Sequence, residues 1–185
     1  HALHRRRHHG VAMRQIVVMG VSGCGKSLIG AALAEAAGLQ FIDGDALHPP
    51  ENIEKMRRAE PLTDEDRAPW LDRVGAELAK GDRVIACSAL RRTYRDRIRS
   101  VAPKVKFLYL HGTPEVLLQR VTGRDRHFMP PALLSSQLAT LEVPTEDEPH
   151  FVAQITDHPE KVVASFLSVN PWANRKDDPV CAGLE

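Results

Sequence analysis

Cysteine is scarce in this chain of 185 residues: Cys24, Cys87 and Cys181 lie far apart, with no C-x-x-C pair among them. An odd, scattered set builds neither a disulfide framework nor a zinc site, and it fits a reducing, intracellular compartment. Long apolar runs are missing as well, and none approaches the roughly eighteen residues of a membrane span. The His- and Arg-rich stretch from His1 to Ala12 has no apolar core, so it is no secretory signal. It reads as an expression remnant or an upstream extension ahead of a start at Met13, and its histidines are not counted as a metal site. Charge of one sign is also absent: the formal net charge is +1, and its sign depends on Arg5, Arg6 and Arg7. That balance argues against a dedicated nucleic-acid binder. Without repeats or a linker, residues 13–170 read as one domain, long enough to bury a proper core.

What the chain does have is Gly20-Val21-Ser22-Gly23-Cys24-Gly25-Lys26-Ser27, between the apolar run Ile16-Val17-Val18-Met19 and the helix-like Leu28 to Ala34. This is the phosphate-binding pattern G-x-x-x-x-G-K-[ST] in the strand-then-helix setting that gives it meaning. Its glycines admit backbone conformations in which successive N–H groups turn inward around an anion. A triphosphate is the natural guest: Lys26 supplies a cation for the β- and γ-phosphates and Ser27 a hydroxyl for Mg²⁺, while the helix start adds field of the same sign.

The rest of the chain alternates strands and helices. Arg14 to Met19 reads as a buried first strand, Lys26 to Ala37 as a helix ended by Gly38, and Leu39 to Ile42 as a second strand. A helix opens at Pro49 or Pro50 and runs to Arg58; a second, capped by Thr63 or Asp64, runs through Trp70, Leu71, Val74 and Leu78 to Gly81. Trp70 reads as core at that spacing. Two helices exceed what a simple crossover needs, so about residues 46–80 read as a substrate-binding insertion. Strands over Arg83 to Cys87, Lys106 to Leu110 and Phe151 to Ile155 alternate with helices over Arg92 to Val101, Pro114 to Val121, Ala132 to Leu141 and Glu160 to Val169. The expected fold is α/β: a parallel five-stranded sheet with helices on both faces. The basic stretch at about 123–131 reads as a mobile lid, and the tail over 171–185 as loosely held.

Asp43-Gly44-Asp45 falls at the carboxyl end of the second strand, where open α/β sheets place their ligands. One carboxylate can serve Mg²⁺ while the other accepts a proton from an attacking hydroxyl. The third strand closes on Cys87-Ser88-Ala89 with no acidic residue, so Mg²⁺ falls to Ser27 and Asp43. Arg120, Arg124 and Arg126 cluster at a helix end, from which guanidinium groups can stabilise a transferring phosphoryl or stack on a base. Arg91 and Arg95, one turn apart near the carboxyl end of the sheet, are candidates to meet an anionic substrate. His48, Lys55 and Arg67 belong to the insertion; taken singly, each is an ordinary surface residue.

There is no Asn-Lys-x-Asp guanine-recognition sequence, and the chain is short for a motor or transporter ATPase, which leaves the small-molecule kinases. Phe41-Ile42-Asp43-Gly44-Asp45-x-Leu47-His48-Pro49, Asn52-Ile53-Glu54-Lys55-Met56, Pro61 to Leu71, Cys87 to Asp96, His127-Phe128-Met129-Pro130 and Ser136-Gln137-x-x-Thr140-Leu141-Glu142 together resemble the gluconate kinases, from about Ile16 to Val169. The resemblance implies a P-loop kinase fold related to shikimate and adenylate kinases. It implies ATP-dependent phosphorylation of the terminal hydroxyl of D-gluconate by a cytoplasmic homodimer, with no nucleic-acid or membrane partner. It also implies that Asp43 serves Mg²⁺, Asp45 deprotonates the hydroxyl, Arg67 holds substrate carboxylate, Arg120 stacks on adenine and Arg124 closes the lid. His48 and Lys55 would then satisfy hydroxyls. Two alternatives remain at this point: a kinase for another small hydroxy acid, and an ATP-binding module without catalysis. Three departures stand out, one being that the tail beyond Asn170 has no counterpart in the family pattern. Cys24 puts a thiol in the loop, with an expected sensitivity to oxidation. Ala59 stands where the family usually has Gly, which puts the turn into the second insertion helix in question.

Overall fold

The fold is described from a computed structural model, which defines residues 14–122 and 131–177. Its centre is β1 (Gln15–Met19), buried along its whole length. β3 (Arg83–Ala86) flanks it on one side and β4 (Lys106–His111) on the other, with β2 (Gln40–Asp43) and β5 (His150–Gln154) at the edges. The order is β2-β3-β1-β4-β5, and every pairing is parallel. Strand side chains alternate between the two faces, and the core divides accordingly. Ile16, Val18, Val84, Leu108 and Leu110 pack on the face covered by α1 (Lys26–Ala37) and α7 (Pro159–Val169). Val17, Met19, Ile85, Phe107 and Tyr109 pack on the opposite face, beneath α3 (Asp64–Ala79) and α4 (Arg92–Val101). The expected parallel five-stranded sheet, with helices on both faces, is the architecture found.

Between β2 and α3 the chain forms a 3₁₀ turn over Gly44–Leu47 and then α2 (Pro50–Arg57). Pro50 opens α2, and Thr63 caps α3, its side chain accepting from the Asp66 N–H while the Asp66 carboxylate accepts from Thr63 N. This reciprocal cap satisfies two otherwise orphan donors and fixes where the second insertion helix begins. Helices α5 (Pro114–Thr122) and α6 (Pro131–Thr140) pack together after β4. The expected lid, except for its last residue at the start of α6, lies outside the described residues, and so do Arg124 and Arg126.

One expectation is corrected: the start of the tail is docked. Asn170 is buried and its side chain donates to the Phe166 carbonyl; Ala173 is buried, Trp172 packs on the core, and Arg14 Nε donates to the Trp172 carbonyl at 3.0 Å. The apolar Trp172-Ala173 pair outweighs the helix-breaking Pro171, which opens a single 3₁₀ turn. Residues 178–185 lie outside the described residues.

Register brings the site together. Asp43 of β2 pairs with Ala86 of β3, and Ala86 with Val18 of β1, so the Asp-Gly-Asp turn and the glycine loop leave the same edge of the sheet at the same level. Two strand spacings, about 10 Å, separate them.

Candidate active site

The loop after β1 has the geometry its spacing implies. Gly20, Gly23 and Gly25 take φ values of 148°, 83° and 91°, a region that side chains with a Cβ rarely enter. At Gly20 space is limiting too: a Cβ there would sit 2.8 Å from Cys24 Sγ and 3.1 Å from the Leu110 carbonyl oxygen. Gly25 stands at the N-cap of α1 with no capping side chain, and no acidic residue occupies the first turn. The N–H groups and positive end of a twelve-residue helix are thus left for an anion. Lys26 Nζ donates to the Val21 carbonyl at 3.0 Å, across the mouth of the loop. The Ser22 N–H donates to Oε1 of Gln137, from α6, at 2.6 Å. Ser27 is exposed at the start of α1.

Cys24 corrects a second expectation. Its side chain is buried, and burial pushes the thiol up from its ordinary range despite the nearby Lys26 cation. A buried, protonated thiol is a poor target for oxidants.

The aspartate pair is held by backbone and by one tryptophan. Asp43 Oδ1 accepts from the Asp45 N–H at 3.0 Å, and Trp70 Nε1 donates to the carbonyl of the intervening Gly44 at 2.8 Å. Gly44 lies against β3 so closely that a Cβ would fall 2.4 Å from the Ala86 carbonyl oxygen. Both aspartates are exposed. Cys87, just beyond β3, lies against Gly44 of this turn, and its N–H donates to the Val18 carbonyl of β1 at 3.1 Å. Burial pushes its thiol up to about 12, and among the charges acting on it are Lys26, which lowers it, and Asp45, which raises it. The ammonium of the loop and the second carboxylate of the pair therefore share a neighbour.

The insertion residues form a connected set. His48 is buried and stacked on Trp70, ring centroids 4.2 Å apart and 14° from parallel. Burial lowers its pKa, Arg67 adds to that, and Asp45 opposes it. Asn52 Nδ2 lies 3.2 Å from His48 Nδ1 and donates to the Asp66 carbonyl at 2.9 Å. Lys55 Nζ pairs with Asp66 Oδ2 at 2.6 Å, and this bond, followed by that from Thr63, holds the Asp66 carboxyl down at about 2. Arg67 donates through one terminal nitrogen to the Leu62 carbonyl and to Tyr94 Oη, and lies over the Tyr94 ring.

The two further arginines separate. Arg91 is the N-cap of α4, extended and exposed, and forms no ion pair among the described residues. Arg95 contradicts the expectation that it meets substrate. It is fully buried, pairs bidentately with Glu148 at 2.9 and 3.1 Å, and donates to the Ala89 and Leu90 carbonyls. A guanidinium with no exposed surface, and with four of its five N–H donors committed inside the protein, is not placed to meet a ligand in the cleft. It braces the loop that carries Arg91, where Ala89 sits at φ 45°.

Beside the glycine loop lies a cavity of about 320 Å³ walled by Leu28, Ile29, Leu110, Ile155 and Val162, with Arg120, Gln154 and Asp157 among its polar groups. Arg120 donates to the Ile155 carbonyl at its rim. An apolar slot with a few polar groups, next to a phosphate cradle, suits a nucleobase.

Comparison with known proteins decides the family. The sequence model of the shikimate kinase family matches residues 22–168. A gluconokinase from Gluconobacter oxydans is 44% identical over 163 residues, covering 85% of this chain and 92% of that protein. The crystal structure of a gluconokinase from Sinorhizobium meliloti 1021 superposes with a TM-score of 0.77 at 45% identity, covering 92% of this chain and 97% of that one. The chain belongs to the gluconokinase family. A shikimate kinase from Bacteroides thetaiotaomicron, at 17% identity and a TM-score of 0.60, shares the fold.

Sequence reasoning left several residues of this gluconokinase-family site without a role. Gln137 and Asn52 sit in family-like motifs that assign them no role, Trp70 has the spacing of a core residue, and Glu148 falls in no motif. One signal was present: Asp66 three residues after Thr63 is a capping-box spacing, which selects Thr63 over Asp64 as cap and makes Asp66 a structural carboxylate. No local pattern announces Glu148, whose partner lies 53 residues away.

Proposed function

We propose that this gluconokinase-family protein transfers the γ-phosphoryl of ATP to the terminal hydroxyl of D-gluconate, giving 6-phosphogluconate and ADP, as a cytoplasmic homodimer. The observation that carries this reading is the strand register, which sets the turn bearing Asp45 at the same sheet edge as the phosphate cradle, two strands away. A module that only held nucleotide would have no use for a carboxylate there.

The loop amides and Lys26 take the polyphosphate, Lys26 exchanging the Val21 carbonyl for phosphate oxygens. The adenine enters the cavity beside Arg120. Asp45 accepts the proton of the attacking hydroxyl as its oxygen bonds to the γ-phosphorus, and the bond from that phosphorus to the β–γ bridging oxygen breaks, so that ADP leaves. Arg124 balances charge on the phosphoryl group in transit. Arg67, with a terminal nitrogen not engaged among the described residues, and exposed Arg91 suit the carboxylate end of gluconate. His48 and Lys55 face its hydroxyls. Ser27 and Asp43 offer a hydroxyl and a carboxylate oxygen, hard donors of the kind Mg²⁺ takes alongside phosphates; when bound, that ion neutralises charge on the phosphates. Asp43 would hold it through its carboxylate, which also accepts the Asp45 N–H.

A coupled assay of ADP release across a panel of sugar acids tests the assignment. Turnover with gluconate is expected; turnover with another acid alone would reassign the substrate, and ATP binding without any turnover would leave a nucleotide-holding module. Light scattering at assay concentration tests the dimer.

A further inference from the structure

The protonation state of His48 follows from its neighbours. Asn52 places one side-chain atom 2.9 Å from the Asp66 backbone carbonyl oxygen, which can only accept a hydrogen bond; that atom must be the amide nitrogen. The same nitrogen lies 3.2 Å from His48 Nδ1. With both its hydrogens directed at acceptors, it requires a lone pair on Nδ1. A ring whose Nδ1 is bare carries its proton on Nε2. The stack on Trp70 keeps the ring plane from turning away from Asn52. Nε2 has no hydrogen-bond partner among the described residues, yet it is not among the buried polar atoms sealed without one. The residue itself adjoins the aspartate turn, its backbone N–H donating to the Asp45 carbonyl at 3.4 Å, and the ring feels the Asp45 charge.

We propose that Asn52 locks His48 as the neutral Nε2–H tautomer, and that this N–H donates to a hydroxyl oxygen of the acceptor substrate next to the one Asp45 engages. The acceptor part of this proposal rests on the phosphotransfer reading; the tautomer does not. Chemically the two groups complement each other. Asp45 accepts a proton, and His48 offers one to a lone pair without carrying a charge that would pair with Asp45 and blunt it as a base. Burial favours that neutral state. Asn52 is then a positioning residue, acting through the imidazole. It also explains why the Thr63–Asp66 cap matters beyond helix α3: the Asp66 carbonyl is the second acceptor that orients the Asn52 amide.

Long-range proton–nitrogen NMR on the histidine-labelled protein without substrate, near pH 7.5, tests the tautomer, with the His48 signals assigned by their loss in His48→Phe or, if that variant does not fold, His48→Gln. A bare Nδ1 and a protonated Nε2 are expected. In Asn52→Asp, where a carboxylate faces the ring, the proton should move to Nδ1 or the ring should charge. A protonated Nδ1 in the wild type overturns the lock. Kinetics test the donor. His48→Phe keeps the stack but has no N–H, and should raise KM for gluconate about tenfold, the upper range for one neutral hydrogen bond, with KM for ATP unchanged. His48→Gln, which presents an amide N–H at similar reach, should recover part of that loss. An unchanged KM for gluconate in His48→Phe, with the wild type turning over gluconate, overturns the donor role and leaves the phosphotransfer reading intact. Absence of gluconate turnover in the wild type removes that reading and the donor role together, while the NMR result still decides the tautomer.

Discussion

On the nucleotide side of the cleft, in the proposed reading, the phosphate-holding groups are mostly backbone: amides of residues 20–27 shaped by three glycines at positive φ, with Lys26 and Ser27 beside them. On the acceptor side the working groups are side chains held by other side chains. Trp70 fixes Gly44 between the aspartates, His48 stacks on Trp70, Asn52 holds His48, and Asp66 holds Asn52 and Lys55. Arg95 and Glu148 support the loop that bears Arg91. A backbone site depends on conformation and tolerates most side-chain changes that leave the glycines alone. A side-chain network fails at any of its members, because removing one leaves its partners unsatisfied. Single substitutions of non-contacting residues should therefore be felt mostly on the acceptor side.

The largest effect is expected at Arg95. Arg95→Met leaves the Glu148 carboxylate buried without its main partner, and should cost about 3–5 kcal/mol in urea unfolding. Acid supplies a second reading of the same pair. Burial raises the Glu148 carboxyl, but hydrogen bonds from Arg95 and Arg99 outweigh it and hold the group at about 2. A folded pKa below the ordinary 4.5 means that this stabilisation is complete above about pH 4.5 and is lost as pH falls toward 2. Urea midpoints should therefore drop more steeply with acid in the wild type than in Glu148→Gln, and parallel curves would show the pair to be inert.

Next in size is Asp45→Asn, which should lower kcat at least about a hundredfold, roughly 2.7 kcal/mol of barrier, while ATP affinity holds. Equal losses in both would mean that the two sides of the cleft are not separable. A smaller effect is expected from Thr63→Ala, which removes the cap of α3 at a cost of about 1 kcal/mol. Because Asp66 also orients Asn52, it should raise KM for gluconate more than KM for ATP. A shift in KM for ATP alone would contradict the partition.

The same division explains what could be read from the sequence. Helix α1 was legible residue for residue, since Gly25 and Gly38 mark its ends and the phosphate motif fixes its start. The strands were legible to within a residue, their ends being set by partners in the ladder that hydropathy does not reveal. The position of Asp43 and Asp45 at the carboxyl end of the second strand was legible, because an apolar strand running into an Asp-Gly turn marks its own end. Arg95 was not. Its spacing from Arg91 suggests one shared helix face, but Arg91 is the extended, exposed cap, while Arg95 turns inward to a glutamate far along the chain. The docked Trp172 was missed for a related reason: proline content described the local backbone and said nothing of the pocket that receives the indole.

The smallest expected effect is a gain in stability, at Ala59. The turn between α2 and α3 keeps the left-handed conformation, with Ala59 at φ 56°, although the residue carries a Cβ. The Glu60 N–H still closes on the Lys55 carbonyl at 2.9 Å and the Ala59 N–H on that of Met56 at 3.1 Å, so the hydrogen bonding needed to end α2 is intact. What remains is the steric cost of an L side chain in that region, about 1–2 kcal/mol, offset in part by the lower entropy of alanine in the unfolded chain. Ala59→Gly should therefore raise stability by up to about 1 kcal/mol, read as a higher urea midpoint. Because the turn geometry is already in place, KM for gluconate should not change. A drop in KM would mean that the strained turn displaces Lys55 and Asp66, and that the acceptor wall is sensitive to backbone after all.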